Sequence, residues 1–416
     1  MGKYVIKGGR KLSGKVTIES AKNSVLPLMA ASIISRGNVV IRNCPKISDV
    51  FNMAKILNSL GVKTTFYGND LLIDPKNIDA YTVNVDLATK LRSSFFMIGA
   101  LISRVNKACV SYPGGCDIGK RPVDIHIQGL KDLGVCVDET SEGIICTRLH
   151  DKGGETCLSF PSVGATENLI LASVITNGTT IIKNAAKEPE IRDLADFLNS
   201  MGAKIYGAGT DTVFIEGVKS LTGTEYSPIP DRIETGTFLI AAAITGGEIE
   251  IRNCKAENIS VLMHKLCNNT CNISIKNDII YIKSGIIKKS FSFITGPYPE
   301  FPTDLQPPAV ALGCVSDGVF IVRENVFENR FGYTSFLNKM GADIKVSGRT
   351  AICRGVKNLV GVEVDAEDLR GGAALTLAGL CAEGITIVNN VEFIERGYSS
   401  FDHKLKSLGA DIRYKK

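Results

Sequence analysis

One pattern recurs six times along the 416 residues and leaves few folds open to the chain. A glycine is followed by an alternating apolar strand that ends near an asparagine: Gly37-NVVIRN, Gly178-TTIIKN, Gly247-EIEIRN, Gly318-VFIVREN and Gly384-ITIVNN. Successive intervals are 141, 69, 71 and 66 residues, and 141 is two periods. The member due near residue 107 is Asn106-KACVSYPGG. One such unit cannot bury its own apolar face, so the copies must pack on one another.

A helix of small and apolar residues precedes each strand: Asn23–Ser35, Arg92–Ser103, Thr166–Thr176, Glu234–Thr245, Leu305–Ser316 and Gly371–Glu383. Apolar on nearly every face, these helices belong in a core. An amphipathic helix follows each strand. It ends in Leu-Gly or Met-Gly at Gly61, Gly134, Gly202, Gly341 and Gly409, a C-cap signal, and copy four lacks that ending. More alternating strands follow, so the unit reads helix, strand, helix, strand, strand, and the fold class is mixed α/β. From strand-opening residue to capping glycine the spacing is 24, 28, 24, 23 and 25 in copies one, two, three, five and six. The extra residues of copy two fall in the loop around Cys116, and a break in a regular pattern marks a place to look for function.

A chain of this length is expected to form two domains. The Pro-rich stretch Tyr226-SPIPDR is the natural divide. It predicts one domain over 21–229 and a second over 230–416 that also takes in residues 1–20, with the active site in the cleft between them. A net charge of +5 does not suggest nucleic acid but tolerates anionic substrates. Apolar runs are too short to span a bilayer, and the first residues read as strand, turn, strand without a signal-peptide core. A cytoplasmic protein is expected. The twelve cysteines are scattered, which favours reduced thiols, several of them in apolar segments (Cys109, Cys146, Cys314, Cys353, Cys381). His264, Cys267 and Cys271 lack a fourth ligand and the spacing of a zinc site, so no metal is expected.

Residues 112–124, YPGGCDIGKRPVD, place Cys116 in a glycine-rich loop beside Lys120 and Arg121. Adjacent cations bind anions or favour a thiolate. The loop matches the phosphate-loop pattern until Arg121 stands where Ser or Thr should hold magnesium, which argues against ATP hydrolysis. Charged residues open several of the buried helices: Lys22-Asn23, Arg92, Arg232, Thr303-Asp304 and Asp368-Leu-Arg370. The loops after the strands add Arg121, Arg192, Arg330 and Arg396. Helix N-termini already favour anions, and the added cations suit a phosphate or carboxylate. Asp304 reads first as an N-cap and second as a general base. His126 reads as a satisfied core histidine.

Taken together, these segments resemble the UDP-N-acetylglucosamine 1-carboxyvinyltransferases, a family of enolpyruvyl transferases. The resemblance runs nearly end to end, through Ser-Ala-Lys22-Asn23, Leu-Arg92-Ser, Pro-Gly-Gly-Cys116-x-Ile-Gly-x-Arg121-Pro-Val-Asp124, Pro-Ser162-Val-Gly-Ala-Thr, Pro-Asp231-Arg232-Ile-Glu-Thr-Gly-Thr, Pro-Thr-Asp304-Leu-Gln, Val326-Phe-Glu-Asn-Arg330-Phe, Asp368-Leu-Arg370-Gly-Gly and Glu-Arg396-Gly-Tyr. It implies two inside-out α/β barrels of three repeats each. It also implies transfer of the enolpyruvyl group of phosphoenolpyruvate to the 3-hydroxyl of UDP-N-acetylglucosamine, without a cofactor, by a protein expected to be a monomer.

By the same resemblance Cys116 is the proton donor to carbon and the target of fosfomycin, and Asp304 is the base. Lys22, Arg121 and Arg396 hold phosphate, and Arg330 and Arg370 hold the carboxylate. Asn23, Arg92, Arg121, Pro122, Val123, Asp124, Ile125, Ser162, Val163, Gly164, Asp304 and Val326 position the nucleotide sugar. Phe160 departs from relatives that place a cation there. Rival readings are the sister transferase acting on shikimate 3-phosphate, which differs at Lys22 and lacks the cysteine loop, and a non-catalytic UDP-sugar-binding paralogue.

Overall fold

The computed structural model describes residues 2–112, 123–141, 143–268, 271–285 and 290–416. The six apolar segments form helices at Lys22–Ser32, Met97–Val105, Val163–Ser173, Arg232–Thr245, Gln306–Cys314 and Leu369–Cys381. Several stop short of the expected ends. The Ser32 and Ser173 hydroxyls fold back on the carbonyls of Leu28 and Leu169, each at 2.7 Å, and compete with the backbone ladder in the last turn. Arg92 and Asp304 fall not in α-helix but in 3-10 turns, Arg92–Phe96 and Thr303–Leu305, that lead into the helices behind them.

These helices are buried on all sides. Every residue from Gln306 to Cys314 is buried, as is every residue from Leu369 to Leu380. Glycine makes such contact possible: a Cβ on Gly99 would stand 2.2 Å from the Asn168 carbonyl of the neighbouring helix. The capping glycines behave as the sequence predicts, with left-handed φ at Gly61, Gly134, Gly202, Gly341 and Gly409.

Among the described residues there are six sheets, and five follow one plan of four strands. In the fourth copy, Glu248–Arg252 is flanked by the parallel strand Ser13–Thr17 and the antiparallel strand Ile279–Ser284, beyond which lies Cys271–Lys276. In the sixth copy Lys3–Lys7 takes the place of the hairpin's return strand, antiparallel to both Ile385–Asn389 and Asp411–Lys415. The second copy has three strands, and an isolated parallel bridge from Thr82 to Cys109 stands for the fourth.

The described residues divide into two compact units. One runs from Ser20 to Ile229; the other joins the residues up to Glu19 to Pro230–Lys416. Each holds three of the sheets and its own apolar core. Among the described residues no helix is long and apolar enough to cross a membrane. Cys146, Cys314 and Cys353 are buried free thiols, Cys109 and Cys381 are half-buried, and Cys157 and Cys267 are exposed.

Candidate active site

The densest cluster of candidate residues lies in the unit containing Pro230–Lys416. The Asp304 carboxylate accepts from Arg330 Nη2 at 2.9 Å through Oδ1 and from Arg370 Nη2 at 3.0 Å through Oδ2. It is therefore not an N-cap, contrary to the first reading; the turn it sits in has no side-chain cap. Asp368 does cap, accepting from the Arg370 and Gly371 amides at 2.9 and 3.0 Å. That places Arg370 on the first turn of its helix and turns it inward.

Both arginines are almost fully buried, 4% exposed for Arg330 and 3% for Arg370, and they share Asp304. Arg330 Nε and the Nε and Nη1 of Arg370 have no hydrogen-bond partner among the described residues. Burial opposes the charge on Arg370, but Tyr398, Asp304 and Asp231 outweigh it, so its pKa is raised and it stays a cation. The Tyr398 ring lies 5.1 Å from its guanidinium carbon. Buried guanidinium donors with one shared carboxylate suit a further anion, and a planar carboxylate matches their fork.

A second carboxylate shapes the neighbouring loop. Glu324, wholly buried, accepts from the Val326 and Phe327 amides at 2.9 and 3.1 Å and from the Thr303 hydroxyl at 3.0 Å. It fixes Val326 and the residue next to Asp304 together. Arg396 is half-buried at the end of the 3-10 helix Val391–Arg396.

In the unit from Ser20 to Ile229 the candidates stand at helix starts. Lys22 opens its helix and pairs with Asp49 at 2.6 Å, the carboxylate being 2% exposed and the lysine side chain 14%. Asn23 beside it is exposed, and Arg92 is half-buried. Ser162 caps the Val163–Ser173 helix by accepting from the Ala165 amide at 3.3 Å, with Val163 and Gly164 half-buried. Val123 and Ile125 are half-buried, and Asp124 is exposed at the start of the Asp124–Asp132 helix. Arg192 lies within the Pro189–Ser200 helix rather than in a loop. Cys116, Lys120, Arg121 and Pro122 lie outside the described residues.

His126 is the core histidine expected of it. Its Nδ1 faces Asn168 Nδ2 at 3.2 Å, and Asn168 Oδ1 accepts from the Gly99 amide at 2.7 Å, tying three helices together. Burial, with Arg92 adding to it, pulls its pKa down to about 3, so the ring is neutral near pH 7. A Cβ at position 164 would stand 3.2 Å from this ring, which explains glycine there.

Sequence reasoning missed Asp49, Glu324 and Tyr398. Asp49 sits one residue into an amphipathic helix and resembles any first-turn acid, and nothing near Glu324 or Tyr398 announces burial. Asp304, Arg330 and Arg370 were each found, but not their pairing, because the two arginines lie 26 and 66 residues further on.

The family described as "EPSP synthase (3-phosphoshikimate 1-carboxyvinyltransferase)" matches residues 6–405. A UDP-N-acetylglucosamine 1-carboxyvinyltransferase 2 of Caldanaerobacter subterraneus subsp. tengcongensis is 50% identical over 413 residues, covering 99% of either chain. Among solved structures, the enolpyruvyl transferase NikO of Streptomyces tendae superposes with a TM-score of 0.87 at 25% identity, over 99% of this chain and 98% of that one. The EPSP synthase of Acinetobacter baumannii, at 19% identity with both chains fully covered and a TM-score of 0.74, shares the fold.

Proposed function

The chain belongs to the UDP-N-acetylglucosamine 1-carboxyvinyltransferase family of enolpyruvyl transferases, and from that premise we propose that it transfers the enolpyruvyl group of phosphoenolpyruvate to the 3-hydroxyl of UDP-N-acetylglucosamine. Phosphate is released, and the reaction is the first committed step of peptidoglycan synthesis, carried out in the cytoplasm. The observation that carries this reading is the Arg330–Asp304–Arg370 cluster: one carboxylate between two buried guanidiniums with unsatisfied N–H groups.

The acceptor oxygen bonds to the central carbon of phosphoenolpyruvate while its proton passes to Asp304, and Cys116 delivers a proton to the methylene carbon. The resulting tetrahedral ketal loses phosphate as a proton leaves the new methyl group, which restores the double bond. Arg330 and Arg370 hold the substrate carboxylate. As it enters, it competes with Asp304 for the same two guanidiniums, which frees the Asp304 oxygens to take the hydroxyl proton and raises their basicity. Lys22, Arg121 and Arg396 hold the phosphate, whose negative charge grows as it leaves. Asn23, Arg92, residues 121–125, Ser162, Val163, Gly164 and Val326 position the nucleotide sugar.

The test is phosphate release with phosphoenolpyruvate and each acceptor offered separately. Release with UDP-N-acetylglucosamine is expected; release only with shikimate 3-phosphate would overturn the reading in favour of the sister transferase. Binding of the UDP-sugar without turnover would point to the non-catalytic paralogue. Fosfomycin should add one adduct to the wild-type mass and none to Cys116→Ala.

A further inference from the structure

In the unit from Ser20 to Ile229, Asp193 lies on the Pro189–Ser200 helix and is 2% exposed. Its Oδ1 accepts from the Tyr226 hydroxyl at 2.7 Å and its Oδ2 from the Ile229 amide at 3.3 Å. The Ile229 carbonyl accepts in turn from the Ala21 amide at 2.8 Å. Ala21 is the N-cap of the helix that opens with Lys22 and Asn23, and it offers no side-chain cap. The Ser24 and Val25 amides close back on the Ala21 carbonyl at 3.0 and 2.9 Å. The place where this helix begins is therefore set by the backbone of Ala21, and that backbone is tied to Ile229.

The anchor is an expensive one. Burial drives the Asp193 pKa up to about 6, against the pull of the Tyr226 and Ser24 hydroxyls and the Ile229 amide, with Glu190 on the same helix adding to the rise. A carboxylate buried at a cost to stability, and joined through Ile229 and Ala21 to the helix start that carries two proposed substrate-binding residues, fits a functional more than a structural need.

We propose that Asp193 is a positioning residue: acting through Ile229 and Ala21, it sets where Lys22 and Asn23 meet the substrates. The inference rests on the enolpyruvyl-transfer reading for what those two residues do, and on hydrogen-bond geometry alone for how they are held.

The experiment compares Asp193→Ala, Asp193→Asn and wild type in steady-state kinetics, melting temperature and amide hydrogen exchange. Asp193→Ala should raise the KM for phosphoenolpyruvate about tenfold or more, because small misplacements of a binding group cost that much. It should speed exchange at Ala21 and leave the melting temperature unchanged or higher. Asp193→Asn, whose Oδ1 can still accept from Ile229, should recover most of the lost KM and exchange protection. Unchanged KM and unchanged Ala21 exchange in Asp193→Ala would overturn the proposal, and so would a lower melting temperature with normal kinetics in the folded fraction. If wild type releases no phosphate from the substrate pair, the functional reading fails separately. Exchange at Ala21 then still decides whether Asp193 is the anchor.

Discussion

Asp304, in the unit that contains Pro230–Lys416, meets two guanidiniums at 2.9 and 3.0 Å, whereas Lys22, in the unit from Ser20 to Ile229, pairs with the carboxylate of Asp49 at 2.6 Å. The first arrangement is cation-rich, with buried guanidiniums, donors left open and a partly exposed carboxylate; the second pairs a partly exposed lysine with a buried acid. The two units are built from the same repeat, so the scaffold does not explain the contrast. It comes from which residue types stand at the starts of the buried helices and in the loops after the strands, where Arg330 lies. Buried, fork-shaped arginines suit a fixed carboxylate, whereas a lysine on a flexible stem suits a phosphate that must leave.

The largest effect expected from that contrast is catalytic. Asp304→Asn keeps the shape and removes the proposed base, and kcat should fall by about 10²–10⁴-fold. A loss below tenfold in the phosphate-release assay would show that Asp304 only neutralises its arginines. Double-mutant cycles on unfolding free energy sharpen the comparison. The Arg330–Asp304 pair should couple by about 3 kcal/mol, as close buried charge pairs do. Lys22–Asp49, with a lysine that keeps some contact with water, should couple by about 1–2 kcal/mol. Equal couplings would erase the distinction.

Acid titration separates two buried groups within the unit from Ser20 to Ile229. The His126 pKa is lowered in the folded state to about 3, so below its unfolded value of about 6.5 only the unfolded chain takes the proton. Its stabilising contribution is present above that value and lost as pH falls, by about 2 kcal/mol at pH 5. Asp193 has the opposite sign: its folded pKa is raised to about 6, so between there and about 3.9 the folded form binds the proton first and gains stability. His126→Gln and Asp193→Asn should therefore tilt the curve of unfolding free energy against pH in opposite directions. The smallest effect is a control. Gly202 and Gly341 cap corresponding helices in the two units with φ of 102° and 92°. Alanine at either should cost about 1–2 kcal/mol, the same in both, as read by urea denaturation.

The repeat, the buried helices and the glycine caps were legible because they are local: period, composition and a left-handed cap can each be read within a few residues. Asp304 was legible as a candidate but not as the centre of an ion cluster, and Asp49, Glu324 and Asp193 were not legible as anchors. Their roles depend on partners brought together by packing. Asp193 reaches Tyr226 and Ile229, 33 and 36 residues on, and only burial distinguishes it from Asp196 on the same helix.

The strand Lys3–Lys7 has a consequence for the order in which the protein is made. All the strands between Ser20 and Ile229 find their partners within that span, so this unit can close soon after its last residue leaves the ribosome. Lys3–Lys7 is synthesised hundreds of residues ahead of both its neighbours, Ile385–Asn389 and Asp411–Lys415. At bacterial and eukaryotic rates of about 5–20 residues per second, it waits roughly 20–80 seconds as an unpaired strand, tethered to a unit that has already had time to fold. The nascent chain therefore passes through a long interval in which one strand has neither of its neighbours, and the second unit cannot complete its sheet until both have been made.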